Sequence, residues 1–249
     1  MALNLHNDFF VSHGQDLQPA KNFWDPAHAA LRQRIFDNRT AFDWNNVDGY
    51  FDILESQKNH SVYANIHGIM TLEPFTNPTK FKRRYRVASM VRHPIPRVIS
   101  FVNKWTERGA TKRAKIFSES APELMNETCR RYGVDQNDPT TILFIHAVKT
   151  AFFFDSLYIT AGVPIIVTER LVTDMDYFSE WIFHLTAGSV CATKDYIDRV
   201  SRASPLDQMN KSQSPTDVFS AWPEWQQRHF RDQLTADLQQ KYLSLGYNF

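Results

Sequence analysis

An α/β fold, with a central parallel sheet flanked by helices, is predicted by three segments of this 249-residue chain. From Tyr85 to Gly109, a strand carrying Val87, Met90 and Val91 turns at His93-Pro94-Ile95-Pro96 and becomes a helix. Val98, Phe101, Val102 and Trp105 fall on one face of that helix, the spacing of a helix laid against a sheet. Gly109 is its natural stop. From Val163 to Thr168 a second strand is apolar almost throughout, as expected for a strand covered on both faces. Asp174 then caps a helix carrying Phe178, Ile182 and Leu185, which ends at Gly188. Residues 116–160 between them read as mostly helical, broken by a loop from Gly133 to Pro139. Strands alternating with helices in this way give three layers around a parallel sheet of about four to five strands.

The rest of the chain fits this frame. Asp8 to Ser12 reads as a first strand, followed by His13-Gly14-Gln15-Asp16. Ala29, Leu31, Ile35 and Phe36 form a partial stripe after Asp25-Pro26, and Gly49 to Leu54 suggests a second short helix. Ser61 to Ile66 alternates weakly and reads as a short strand leading into His67-Gly68. Phe152-Phe153-Phe154 reads as core. Residues 189–216 are loop-rich, and a last helix starting near Ser220 to Pro223 carries Phe230, Leu234, Leu238 and Tyr242 as one stripe. No internal repeat or low-complexity linker divides the chain, so a single domain over residues 1–249 is expected.

Composition narrows the function classes. Hydrophobic residues at 43% and charged residues at 22% are those of a soluble globular protein. A net charge of +1 provides no global field for nucleic acid, so an anion site must come from local clustering. Lys80 to Arg86 (K-F-K-R-R-Y-R) is such a cluster, continued by Lys104, Arg108, Lys112, Arg113 and Lys115. It reads first as a solvated edge that discourages strand pairing, and second as a landing surface for an anionic glycan. Aromatic residues are not interleaved as stacking platforms, which speaks against nucleic acid. Cys129 and Cys191 are too few for a disulfide framework and are expected to be buried free thiols. No Cys/His cluster has metal-ligand spacing, so no metal is expected. Met1 to Gln18 lacks a basic start and an apolar core of signal length, and Asp155 interrupts the apolar run from Ala151 to Val167. A cytoplasmic protein without a membrane span is therefore expected.

The strand–turn–helix at residues 85–109 is also the best site candidate. Ligands of open α/β sheets sit at the carboxyl ends of strands, where the turn places Arg92, with Ser100 early in the following helix. Unpaired N–H groups and the positive end of the helix dipole would favour a phosphate there. An arginine fork and a hydroxyl aimed at that spot would form an anion clamp.

Arg92-His93-Pro94, Arg97 and Ser100-Phe101 resemble the R-x-P-x-x-R-x-x-S-[YF] signature of the sulfotransferases, including its interval of eight from Arg to Ser. The resemblance implies a three-layer, P-loop-like sulfotransferase fold and 3′-phosphoadenylyl sulfate (PAPS) as sulfuryl donor. In that family the Arg and the Ser hold the donor's 3′-phosphate, which assigns Arg92 and Ser100 to it. Arg97 is expected to be a structural residue at the start of the helix that also feels the nucleotide. A His ending the strand upstream of the signature is the base in the similar carbohydrate sulfotransferases; His67 stands there, with Glu73 and then His60 in reserve. Met209-Asn210-Lys211-Ser212 resembles the N-x-S loop that closes over the nucleotide, which makes Lys211 a phosphate contact. Thr168-Glu169-Arg170-Leu171 resembles the family's late supporting segment, with Glu169 structural and partnered by Arg170 or another arginine. The closing Leu245-Gly246-Tyr247 is also similar.

The chain departs from the family at the amino-terminal phosphate loop, K-[ST]-G-[TG]-T. Ser12 and Gly14 stand as remnants of it, but the first lysine is Lys21, beyond Pro19. No G-x-x-x-x-G-K loop occurs either, which argues against a nucleotide kinase. Transfer of a sulfuryl group to a hydroxyl of a carbohydrate or small alcohol is thus one expectation. A non-catalytic nucleotide- or glycan-binding protein that keeps the 3′-phosphate clamp without the catalytic lysine is the alternative. A structural protein with no affinity for the nucleotide is a third.

Overall fold

The computed structural model describes residues 86–160, 162–203 and 214–249, together with strands at residues 9–13, 18–19 and 62–66. The chain divides into two compact units, Met1–Val87 with Leu171–Leu206 and Ala88–Arg170 with Asp207–Phe249. The predicted helices at residues 25–59 lie outside the described residues.

The first unit opens with β1 (Phe9–His13), β2 (Gln18–Pro19) and β3 (Val62–Ile66). β1 is central, pairing antiparallel with β2 and parallel with β3, where Phe9 stands opposite Val62 and His13 opposite Ile66. Both predicted strands are present, within a residue of their expected bounds.

In the second unit, β4 (Ser89–Val91) pairs in parallel with the later β5 (Ile165–Val167), Val91 standing opposite Val167. Between them run α1 (Pro94–Glu107), α2 (Ala110–Ser120), α3 (Pro122–Tyr132) and the 22-residue α4 (Pro139–Thr160). The unit is thus mostly helical, with a small two-stranded parallel sheet flanked by helices. α3 ends at Gly133, where φ of 64° is a left-handed conformation that suits glycine. Asp138 starts α4, its carboxylate accepting from the N–H groups of Thr140 (3.1 Å) and Thr141 (3.0 Å).

α4 is the spine of this unit. Leu143, Phe144, Ile145 and Val148 are almost wholly enclosed, and the helix carries apolar residues around its whole circumference, with no single polar face. Val91, Ile95, Val98 and Val102 pack into the same core from β4 and α1, as do Phe230, Leu238 and Tyr242 from the carboxyl-terminal helices. Of the three consecutive phenylalanines only Phe152 is core; Phe153 is exposed. By length and composition α4 could cross a membrane, whereas the sequence reading finds no such run because Asp155 interrupts it. Asp155 does not end the helix. It is fully buried and paired with the guanidinium of Arg97, and it accepts a 2.6 Å hydrogen bond from the Tyr242 hydroxyl.

α5 (Thr168–Thr173) follows β5 at once and holds the Thr168-Glu169-Arg170-Leu171 segment. α6 (Met175–Leu185) belongs to the first unit and is capped by Asp174, which accepts from the Tyr177 N–H at 2.9 Å. α7 (Lys194–Ala203) corrects the expectation of loop through residues 189–216. Its Tyr196 and Val200, one turn apart, bury against Phe178 and Ile182 of α6 in the core of that unit. Arg86 donates to the His184 carbonyl (2.8 Å) at the end of α6, a favourable place for a cation.

The chain returns to the second unit with α8 (Pro215–Ser220), α9 (Glu224–Gln233) and α10 (Ala236–Ser244). The expected single last helix is broken at Leu234-Thr235, because the Thr235 side chain caps a new start by accepting from the Leu238 N–H at 3.3 Å. Phe230, Leu238 and Tyr242 still bury on one side. Both cysteines are free; Cys129 is buried as expected, and Cys191 is exposed instead.

Candidate functional site

β4 delivers Arg92 to the mouth of α1. Ser89 and Val91 face inward and Met90 outward, the two-residue alternation of a strand. The chain then leaves the sheet at Arg92, and His93 caps the helix through its ring, Nδ1 accepting from the Ile95 N–H at 3.3 Å. The opposite ring nitrogen lies 3.1 Å from the Asn248 carbonyl, so Nε2 carries the proton and Nδ1 the lone pair. Burial lowers the pKa of His93, opposed by the Asn248 carbonyl and the Glu169 charge.

The donors at this helix start are all accounted for, which corrects the expectation of unpaired N–H groups. Pro94 and Pro96 have none. The His93 N–H donates to Glu169 Oε1 at 3.0 Å, the Ile95 N–H to the His93 ring, and the Arg97 N–H to the His93 carbonyl at 3.2 Å. Only the helix dipole and side chains remain to attract an anion here.

Those side chains line an open cleft of about 460 Å³ along one side of α1. Its wall is Arg92, Pro96, Ile99, Ser100, Asn103, Lys104 and Glu107, closed by Val218 of α8. Residues 96, 99, 100, 103, 104 and 107 follow the three-and-four spacing of one helical stripe, opposite the core stripe of Val98 and Val102. Arg92 and Ser100, the two residues of the proposed clamp, therefore meet at one cleft. Asn103 and Lys104 were legible as neighbours from that spacing alone, but the sequence passes over Asn103 and assigns Lys104 to the cation cluster read as a solvated edge or a landing surface for an anionic glycan.

Glu169 stands beside Arg92, with Oε1 3.9 Å from Arg92 Nε. Its other oxygen lies 2.7 Å from the Tyr247 hydroxyl, which is also 2.9 Å from the Val91 carbonyl. Arg92 is thus one arginine that faces Glu169, in keeping with the expected arginine partner. The carboxylate also ties the closing Leu245-Gly246-Tyr247 segment to the end of β4. Arg97, the second arginine of the signature and five residues after Arg92, turns inward to Asp155 and serves the core.

The remaining candidates are placed less fully. Ser12 lies in β1 opposite Asn65 and Pro19. Gly14, His67, Lys211, and the reserve bases Glu73 and His60, lie outside the described residues, as do Lys80, Lys82, Arg83 and Arg84. His146 of α4 stacks on Phe117 with ring centroids 3.4 Å apart, and burial drives its pKa down to about 4. Among the described residues no group of three or more His, Cys, Asp or Glu could hold a metal ion. No family model, curated protein or solved structure matches the chain.

Proposed function

We propose that the cleft along α1 binds the 3′-phosphate of 3′-phosphoadenylyl sulfate, and that the protein is a sulfotransferase of the three-layer, P-loop-like kind. The observation that supports this reading is the convergence of Arg92 and Ser100, eight residues apart, on one cleft at the carboxyl end of a parallel strand. Arg92 would grip the phosphate through its fork and Ser100 through its hydroxyl. His67 would take the proton of a carbohydrate or small-alcohol hydroxyl as that oxygen bonds to sulfur. The bond from sulfur to the bridging phosphate oxygen breaks in the same step, releasing adenosine 3′,5′-bisphosphate. Positioning and charge stabilisation carry such transfers, and no metal is needed.

A second reading is favoured by the missing lysine: no K-[ST]-G occurs before residue 61. On this reading the protein binds the nucleotide or a glycan without transfer. Incubation with the donor and a panel of glycan and small-alcohol acceptors separates the two. Acceptor-dependent release of the bisphosphate, lost in His67→Ala, is expected of the enzyme. Binding of the bisphosphate without any release would establish the non-catalytic protein.

A further inference from the structure

The clamp formed by Arg92 and Ser100 is short of positive charge. A phosphate monoester carries about −1.5 to −2 at neutral pH. Against it stand one hydroxyl and one guanidinium, and that guanidinium already has the Glu169 carboxylate 3.9 Å from its Nε. The helix start adds no N–H donor, since Pro94 and Pro96 lack one and those of His93, Ile95 and Arg97 are engaged.

The same cleft holds one more cation. Lys104 stands one turn beyond Ser100 on the stripe that lines it. Side chains on a helix tend to lean toward its amino terminus, which puts the Ser100 turn within reach of the long Lys104 stem. Among the described residues Lys104 has no carboxylate within ion-pair distance, although Glu107 lines the cleft one turn further on. Its Nζ lies 5.8 Å from the centroid of the Trp105 ring, and the Arg113 guanidinium is 3.9 Å from that same ring. Ser100 and Asn103 likewise make no hydrogen bond through their side chains to the described residues. By contrast, the Thr106 hydroxyl on the same helix bonds back to the Val102 carbonyl at 2.9 Å.

We propose that Lys104 is a third phosphate-binding residue of this cleft, closing over the phosphate held by Arg92 and Ser100, with the Asn103 amide beside it. This rests on the nucleotide reading of the cleft and names the cation that completes it. The ammonium is a mobile point charge on a flexible stem, so it adds charge without demanding the planar geometry of a second fork.

The test is calorimetric titration of wild type, Lys104→Ala and Lys104→Arg with adenosine 3′,5′-bisphosphate and, separately, with inorganic pyrophosphate. Loss of one charge-assisted contact should weaken bisphosphate binding by Lys104→Ala about tenfold, with Lys104→Arg recovering most of it. The difference should shrink as salt rises, which a merely structural role would not produce. Wild-type affinity retained by Lys104→Ala overturns the assignment and leaves the nucleotide reading standing. Binding of pyrophosphate but not bisphosphate, weakened in Lys104→Ala, overturns the nucleotide reading while upholding Lys104 as an anion contact. Absence of binding by either ligand overturns both.

Discussion

Glu169 Oε1 lies 3.9 Å from Arg92 Nε and 3.0 Å from the His93 nitrogen, so one carboxylate faces both the proposed phosphate-binding cation and the backbone that carries it. Both side chains of the ion pair are about 42% exposed, where such a pair is screened and contributes roughly 0–1 kcal/mol. The charge nonetheless competes with any phosphate for Arg92. Glu169→Gln keeps an acceptor for the His93 N–H and removes that competition. Bisphosphate affinity is expected to rise by about threefold, equivalent to roughly 0.7 kcal/mol, as read by titration at low salt.

Arg97 and Asp155 are a different kind of pair. Asp155 is fully buried, and burial raises its pKa despite the neighbouring Arg97 charge and the Tyr242 hydroxyl. Removing one partner of a buried pair leaves an uncompensated charge, so Arg97→Ala should destabilise the protein by about 3–5 kcal/mol. Arg97→Ala with Asp155→Asn should recover much of that loss, because the buried group is then neutral and can still bond to Tyr242. Denaturant midpoints of the two variants check this.

The sequence carried the local structure of this region further than its partnerships. The strand, the proline turn and the apolar stripe of α1 were legible because each depends on neighbours within a few residues. Asp138 as a cap and Phe230, Leu238 and Tyr242 as a buried stripe follow the same rule, although Asp138 was read only as a loop residue. α7 was passed over because its apolar residues Tyr196, Ile197 and Val200 stand among charged neighbours in a helix of ten residues, although their spacing is that of one helical face. The roles of Asp155, His93 and Glu169 depend on residues 58 to 155 positions away, and no periodicity carries that information. Arg92 and Ser100 were placed by motif and spacing, whereas the occupied N–H groups beside them became visible only in the structure.

The half-buried His146 and the buried His229 make stability depend on pH. His146 and His229 both have pKa values lowered to about 4, burial being the largest cause in each. Above the unfolded value near 6.5, neither state binds the proton and stability is unaffected. Between about 6.5 and 4 the unfolded chain binds protons that the folded one refuses, so stability falls as pH falls, by up to about 1.4 kcal/mol per pH unit for each histidine. Below about 4 the loss is complete. His229→Leu should flatten the slope between pH 6.5 and 4.5 by one histidine's share in denaturant titrations across that range.

Thr235 restarts the helix that the sequence reads as continuous. Replacing it with Ala removes the acceptor for the Leu238 N–H and should cost about 1 kcal/mol. The shift in thermal midpoint measures it, and Thr235→Ser should show little change.

The cleft assignment stands or falls on titration of the protein with adenosine 3′,5′-bisphosphate, comparing wild type with Arg92→Ala and Ser100→Ala. Binding by wild type is expected, weakened one to two decades in Arg92→Ala, the equivalent of about 1.5–3 kcal/mol for a hydrogen bond to a charged group. Ser100→Ala should lose up to about tenfold, at roughly 1 kcal/mol for one hydroxyl contact. Wild-type affinity retained in both variants would contradict the clamp, and absence of wild-type binding at millimolar ligand would contradict the nucleotide site altogether.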